Sequence, residues 1–166
     1  MMVKSYSKFL NGVFAPFRAS TRNSHLHWFV GTIELINVAN NEMEALEVLR
    51  TELGVKIGEK RTIITPVGNV LIDDAWLPHI VEKRNAARER FSKWIIPTLE
   101  NPNEVWFANH GGDDFRKRYI KLFSDSDKQL LVVISILNDS AIWNVIPMPI
   151  RSMDNQRNGE LLLKNY

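Results

Sequence analysis

The sequence contains no cysteine. That absence excludes disulfides, thiolate catalysis and cysteine-based zinc sites. No apolar run approaches the length of a membrane span. The first twenty residues carry Lys4 and Lys8 but no continuous apolar core, so no signal peptide is expected. Net charge is only +2, which excludes a basic-tail protein. There is no internal repeat, no low-complexity segment and no glycine-rich phosphate cradle. Gly111-Gly112 reads as a loop, because no helix follows it. What remains is a chain of 166 residues, 45% apolar, with five Trp and eight Phe. It suits one domain, or one domain with an N-terminal extension. The charge is locally uneven. Lys83 to Lys93 and Arg116 to Lys121 are rich in Arg and Lys, a pattern shared by nucleic-acid grooves and by ordinary solvated faces.

Residues 1–24 are mixed. Phe9, Val13, Phe14 and Phe17 are interrupted by Gly12, Pro16 and the polar run Ser20 to Ser24, which reads as an irregular arm that docks through its aromatics. His25 to Val38 is β-rich in composition, but its periodicity leaves strand and helix open. Asn40 to Gly54 reads as a helix, with Asn40 or Asn41 as its cap, Glu42 and Glu44 in its first turn and Gly54 past its end. Its apolar stripe is Met43, Leu46, Leu49 and Leu53. Arg61 to Thr65 and Asn69 to Ile72 form a hairpin around Pro66-Val67-Gly68.

Leu77 to Ile95 reads as one helix ending near Pro97, with Pro78 in its first turn. Ile80, Ala87, Phe91 and Trp94 form its apolar stripe. His79, Lys83 and Arg90 fall along one margin, Arg84 and Arg88 along the other. From Glu104 the period changes to two. Glu104 to Phe107 is a strand. Phe115 to Phe123 alternates, with Lys117, Tyr119, Lys121 and Phe123 on one face and Arg118, Ile120 and Leu122 on the other. Gln129 to Leu137 is apolar on both faces, as in a central strand. Ala141 to Met148 carries Ile142, Asn144 and Ile146 on one face, Trp143 and Val145 on the other. Short turns between these runs predict an antiparallel meander, and Glu160 to Leu163 adds an edge.

A titratable imidazole beside fixed cations suits metal-free RNA cleavage, which needs a base for the ribose 2′-OH, a cation for the phosphorane and an acid for the leaving oxygen. His79 is the titratable candidate, and Lys83, Arg84, Arg90 or Lys121 the cations. Tyr119 either stacks on a base or bonds a phosphate, or belongs to the core. Asn144 either positions a phosphate or reads a base edge, or is satisfied by backbone. Glu104 is a base or, preferentially, a solvated strand end. His25 and His27 would point the same way on a strand, but without a carboxylate they form a weak metal site. His110 sits in a flexible-looking loop that faces solvent, from which it can still carry protons.

The ordered set Thr65-Pro66-x-Gly68, Leu77-x-His79-Ile80, Glu82-Lys83-Arg84, Arg88-x-Arg90-Phe91, Pro97-Thr98-Leu99-x-Asn101-Pro102-x-Glu104-Val105-Trp106, Tyr119-Ile120-Lys121, Trp143-Asn144 and Arg157-x-Gly159-Glu160-Leu161-Leu162 resembles the phage-associated branch of the barnase–EndoU–colicin–RelE (BECR) nuclease superfamily. Such domains occur at the ends of phage head-morphogenesis and minor capsid proteins, and as toxin modules. The resemblance covers about residues 61–163. It implies an α+β fold with N-terminal helical elements followed by a four-stranded antiparallel meander. It further implies a metal-independent endoribonuclease, without cofactor, that cuts tRNA or mRNA. Carried onto the matched motifs, the catalytic residues are His79, Arg84, Lys121, Tyr119 and Asn144. Lys83, Arg88, Arg90 and Arg118 are left to hold RNA. The division expected is 1–60 as arm and helix and 61–166 as the nuclease domain. Expected partners are RNA, with an immunity or antitoxin protein or phage structural proteins. The expected location is the cytoplasm, the phage particle or the cytoplasm of a target cell. The alternative is a non-catalytic phage structural or protein-binding module that keeps the fold.

Overall fold

The computed structural model describes residues 33–124 and 126–165. The aromatic arm, His25 and His27 lie outside the described residues. Residues 33–39 have no regular secondary structure and are held against the segment that follows. The Trp94 indole donates to the Ile33 carbonyl at 2.9 Å, and the Ile36 amide to the Arg90 carbonyl at 3.0 Å.

The first helix, α1 (Glu42–Leu53), ends as its caps dictate. The Asn41 side chain accepts from the Glu44 amide at 2.9 Å, and Gly54 takes the left-handed conformation at φ 65°. Ala45, Leu49 and Leu53 are fully buried, whereas Met43 is 76% exposed. Burial of each leucine is worth ~1.5–3 kcal/mol. Strands β1 (Lys60–Thr65) and β2 (Gly68–Asp73) form the expected hairpin. Then come α2 (Leu77–Val81), α3 (Ser92–Glu100), β3 (Glu104–Asn109), β4 (Phe115–Lys121), β5 (Gln129–Ser135), β6 (Ala141–Met148), the short α4 (Ile150–Met153) and β7 (Glu160–Lys164).

The strands form one seven-stranded sheet in the order β1-β2-β6-β5-β4-β3-β7. Four strands are too few, because the hairpin joins through a parallel contact between β2 and β6, and β7 pairs with β3. The helices are not all N-terminal either: α2 and α3 lie between β2 and β3, and α4 between β6 and β7. β7 can lie against β3 only because Gly159 precedes it. A Cβ there would come within 2.1 Å of the Phe107 carbonyl oxygen. Among the described residues no helix is long and apolar enough to cross a membrane.

The sheet has two unequal apolar faces. Tyr119, Phe123, Leu130, Val132, Ile134, Ile142 and Val145 join the residues of α1, α2 and α3 in the larger core. Ile120, Leu122, Leu131 and Val133 form a smaller core with Met153 of α4. The period-two reading of β4 therefore holds. That of β6 fails, because Ile142 and Val145 share the larger core. The pairing slips there, with Val133 opposite Asn144 and Ile134 opposite Ile142. Trp143 is the extra residue of this bulge, and bulges re-aim side chains in this way.

Leu77 to Ile95 is not one helix. It is broken into α2, two 3-10 turns at Arg84–Ala86 and Arg88–Phe91, and α3, with Ala87 in the left-handed region at φ 42°. Propensity favours helix throughout this stretch, and a tertiary contact overrides it. Glu89 is completely buried, and the Arg84 guanidinium clamps it with bonds of 2.8 and 3.0 Å while reaching the Ala39 carbonyl at 2.9 Å. On a continuous helix, positions five apart point ~140° away from each other, so the pair could not meet. A left-handed alanine costs about 1–3 kcal/mol, less than leaving a buried carboxylate without its cation. Pro97 does not end the helix, which continues to Glu100.

Arg84→Met leaves Glu89 buried without a counter-charge. It should lower stability by ~3 kcal/mol, read as a drop in the urea midpoint with unchanged m-value.

Candidate active site

Alternation along β4 sends Tyr119 into the larger core and Arg116, Arg118 and Ile120 to the opposite face. The α4 helix covers the Ile120 end of that face. At the other end the β3–β4 loop, the β6 bulge and α2 converge on a polar cluster. The loop is not loose: the His110 amide donates to the Asp114 carbonyl at 2.8 Å, and Asn109 bonds Gly111 and Gly112 across it.

This framework holds His110 against Arg118, with Nη2 2.7 Å from the His110 Nε2. A guanidinium only donates, so Nε2 accepts and the ring is neutral. His110 faces solvent, as expected, yet partial desolvation, then the charges of Arg116 and Arg118, push its imidazole below the usual range. Arg118 itself is buried. It also donates to the Gln156 carbonyl at 3.1 Å and to Asn158 Oδ1 at 2.8 Å. Its neighbour Arg116 is gripped by Asp114 at 2.6 and 3.1 Å and lies 5.9 Å from the centre of the Trp143 ring.

Trp143 links this group to α2. The His79 ring packs on it with centroids 4.5 Å apart, and Trp76 lies at 5.3 Å. His79 Nδ1 faces the Glu82 carboxylate at 3.1 Å, leaving Nε2 for a ligand. Asn144, next along the bulge, accepts from Arg88 Nη1 at 2.6 Å. A row of contacts thus runs from His79 through Trp143 to Arg116, with Arg118 and His110 beside it on β4 and its loop.

Four of the nine residues singled out by sequence border this row: His79 packs on Trp143, Asn144 follows Trp143 and holds Arg88, and Arg118 stands on β4 against His110. The others lie elsewhere. Arg84 is taken up by Glu89. Tyr119 is fully buried on the opposite face, with its hydroxyl 2.8 Å from Thr65 Oγ1, and burial raises its pKa. Lys121 is buried, and its ammonium donates to the Asn101 carbonyl just past α3; burial lowers its pKa. Arg90 holds the Ile36 carbonyl at 3.3 Å, and Lys83 is exposed. Glu104 is not a solvated strand end. It is 1% exposed, clamped by Arg157 and by the Trp106 indole.

The residues that sequence undervalued are His110, Arg116 and Trp143. The i, i+2 spacing of Arg116 and Arg118 was a usable signal, because it puts both on one face of a strand. Nothing local marks the bulge that turns Trp143. Among the described residues no group of three or more His, Cys, Asp or Glu is placed to hold a metal.

Imidazoles, guanidiniums and an indole gathered on a sheet face are equipment for handling a phosphodiester backbone. The sequence comparison agrees. The profile of the phage-Barnase-EndoU-ColicinE5/D-RelE like nuclease2 family matches residues 48–164, and the chain belongs to this family of BECR-like nucleases. No curated protein and no solved structure matches it.

His110 should titrate below the usual histidine range when followed by NMR. Arg116→Gln removes one of the repelling charges and should move that titration upward; an unmoved value would break the electrostatic account of the site.

Proposed function

We propose that the protein is an endoribonuclease that cuts RNA without a metal, by attack of a ribose 2′-OH on the adjacent phosphate. The observation that carries this reading is the row His79–Trp143–Arg116 beside the neutral His110. Such chemistry needs a base, an acid and fixed positive charge, and each has a candidate here. His110 is uncharged and takes the 2′-OH proton through Nε2 once the substrate phosphate draws Arg118 away from it. Arg116 and Arg118 hold the phosphate and stabilise the charge that grows on it. His79 gives a proton from Nε2 to the departing 5′-oxygen. Trp143 stacks a base, which suits single-stranded RNA. Arg84, Tyr119 and Lys121 hold the scaffold in this reading, and Lys83 and Arg90 contact RNA farther from the scissile bond. The phage association in the family's description supports a role as a phage-associated module; a toxin role met by an immunity protein extends that reading.

A second reading, a non-catalytic phage structural or protein-binding module, is favoured by one observation. Three of the five catalytic residues expected from sequence are tied into the core or into an ion pair.

Incubation of the pure protein with RNA in EDTA separates the two. The nuclease should release fragments ending in 2′,3′-cyclic phosphate, leave DNA intact, and lose roughly 10²–10⁴ in rate in His110→Ala and in His79→Ala. Intact RNA would sink the enzyme, and cleavage restored only by a divalent ion would sink the metal-free route. RNA binding by His110→Ala should weaken steeply between low and moderate salt; a flat dependence points to the protein-binding module.

A further inference from the structure

Arg88 is a cation without a counter-charge. It is 9% exposed. Its Nη1 is used by Asn144 Oδ1 at 2.6 Å and the Ile80 carbonyl at 3.4 Å. Its Nε is buried with no hydrogen-bond partner, and Nη2 has none among the described residues. These two N–H groups form the edge of the guanidinium that binds a phosphate or carboxylate side-on. Glu89 and Glu104 are neutralised by Arg84 and Arg157. The buried Arg118 and Lys121 have only neutral acceptors, but of the described buried cations Arg88 is the one with a buried N–H left without any acceptor. Arg88 has only the distant influence of Glu82, whose carboxylate faces His79.

Among the described residues no carboxylate pairs with Arg88. The first acidic residue is Glu34, so residues 1–33 hold no carboxylate. Burying a guanidinium without an anion is costly. Such a charge persists where a ligand completes it.

We propose that Arg88, held in place by Asn144 and the Ile80 carbonyl, is a second phosphate subsite that binds a phosphate group of the RNA substrate next to the one on Arg116 and Arg118. Its identity as an RNA phosphate site rests on the nuclease reading; the anion site itself does not. Trp143 stands between the two groups of cations, since it touches Arg116 and is the chain neighbour of Asn144. The substrate is then a polynucleotide that sets one phosphate on each side of a stacked base, rather than a mononucleotide. Asn144 is a positioning residue that acts through Arg88.

Asn144→Asp tests this, because it builds the missing anion into the protein at the atom that already touches Nη1. The Val145 amide, which donates to the same oxygen at 2.9 Å, tolerates the change. In chloride buffer the variant should melt above wild type. Low-millimolar inorganic phosphate, exchanged for chloride at constant ionic strength, should raise the melting temperature of wild type. It should raise that of Asn144→Asp and Arg88→Met clearly less than that of wild type, by the share due to Arg116 and Arg118. A single-stranded 2′-O-methyl oligonucleotide, which cannot be cleaved by this route, should bind both variants at least about tenfold more weakly. If Arg88→Met does not fold, the Arg88 Nε–H resonance of wild type gives the answer: it must shift on phosphate titration. A fixed resonance, or a phosphate response in Asn144→Asp equal to that of wild type, overturns the subsite. Because phosphate binding is read apart from cleavage, RNA left intact by a phosphate-binding wild type sinks the nuclease alone. Cleaved RNA with no phosphate response sinks the subsite alone.

Discussion

The burial of the Glu89 carboxylate is the constraint on which the architecture of the site depends. A fully enclosed negative charge must meet a cation, and the one that reaches it is Arg84, five residues back, rather than either neighbouring arginine. To bring the two together the chain gives up helix between Val81 and Ser92 and accepts a left-handed alanine at position 87. With the break, α2 is free to take its own direction and set His79 on Trp143, while α3 packs on the sheet through Trp94, Ile95 and Leu99. The same break aims Arg88 back at the Ile80 carbonyl and at Asn144. One ion pair thus decides where an imidazole and a guanidinium of the candidate site stand.

The second determinant is unequal cover on the two faces of the sheet. Three helices close one face. Among the described residues, the other carries the four residues of α4 and the segment behind them. Along β4 the side chains of that face change from Ile120 under α4 to Arg118 and Arg116 beyond it. Where cover ends, polar groups begin, and they come from a loop, a strand, a bulge and a helix. Each is fixed by its own contacts: Asp114 on Arg116, Asn158 and Gln156 on Arg118, Glu82 on His79. A site held at its periphery in this way keeps its cations in place, and in the proposed reaction only the Arg118–His110 contact has to open.

Much of the scaffold was legible in the sequence, because its signals are local. The Asn41 cap and the Gly54 end of α1, the Pro66-Val67 hairpin turn, the alternation of β4 and the full span of β6 rest on short-range chemistry that neighbours seldom override. The parts that were not legible depend on partners far along the chain. Nothing between Lys83 and Arg90 announces that Glu89 will be enclosed, so the helix looked continuous. The β6 bulge exists only in relation to β5, so strict alternation in the sequence puts Trp143 and Asn144 on opposite faces. Lys121 and Tyr119 carry chemically able groups, and residue type alone cannot tell a buried phenol bonded to Thr65 from one that meets a substrate. His110 looked like loop polarity until the register of β3 on β4 brought Arg118 to it.

The parallel junction of β2 and β6 has a consequence for how the protein acquires its form. Only the Leu71–Ala141 pair joins these strands, and it closes most of the length of the described chain into one loop. Contacts between residues so distant in sequence form slowly, because the entropy of closure must be met before they contribute. His79 follows β2 and Trp143 lies on β6, so their packing belongs to this late step. Earlier species can hold the β3–β4 hairpin, with His110 beside Arg118, yet lack the ring and the helix on the far side of the cluster. Completion of the site is therefore tied to closure of the sheet: without the Leu71–Ala141 junction, His79 and Trp143 are not brought together and only half of the machinery is in place.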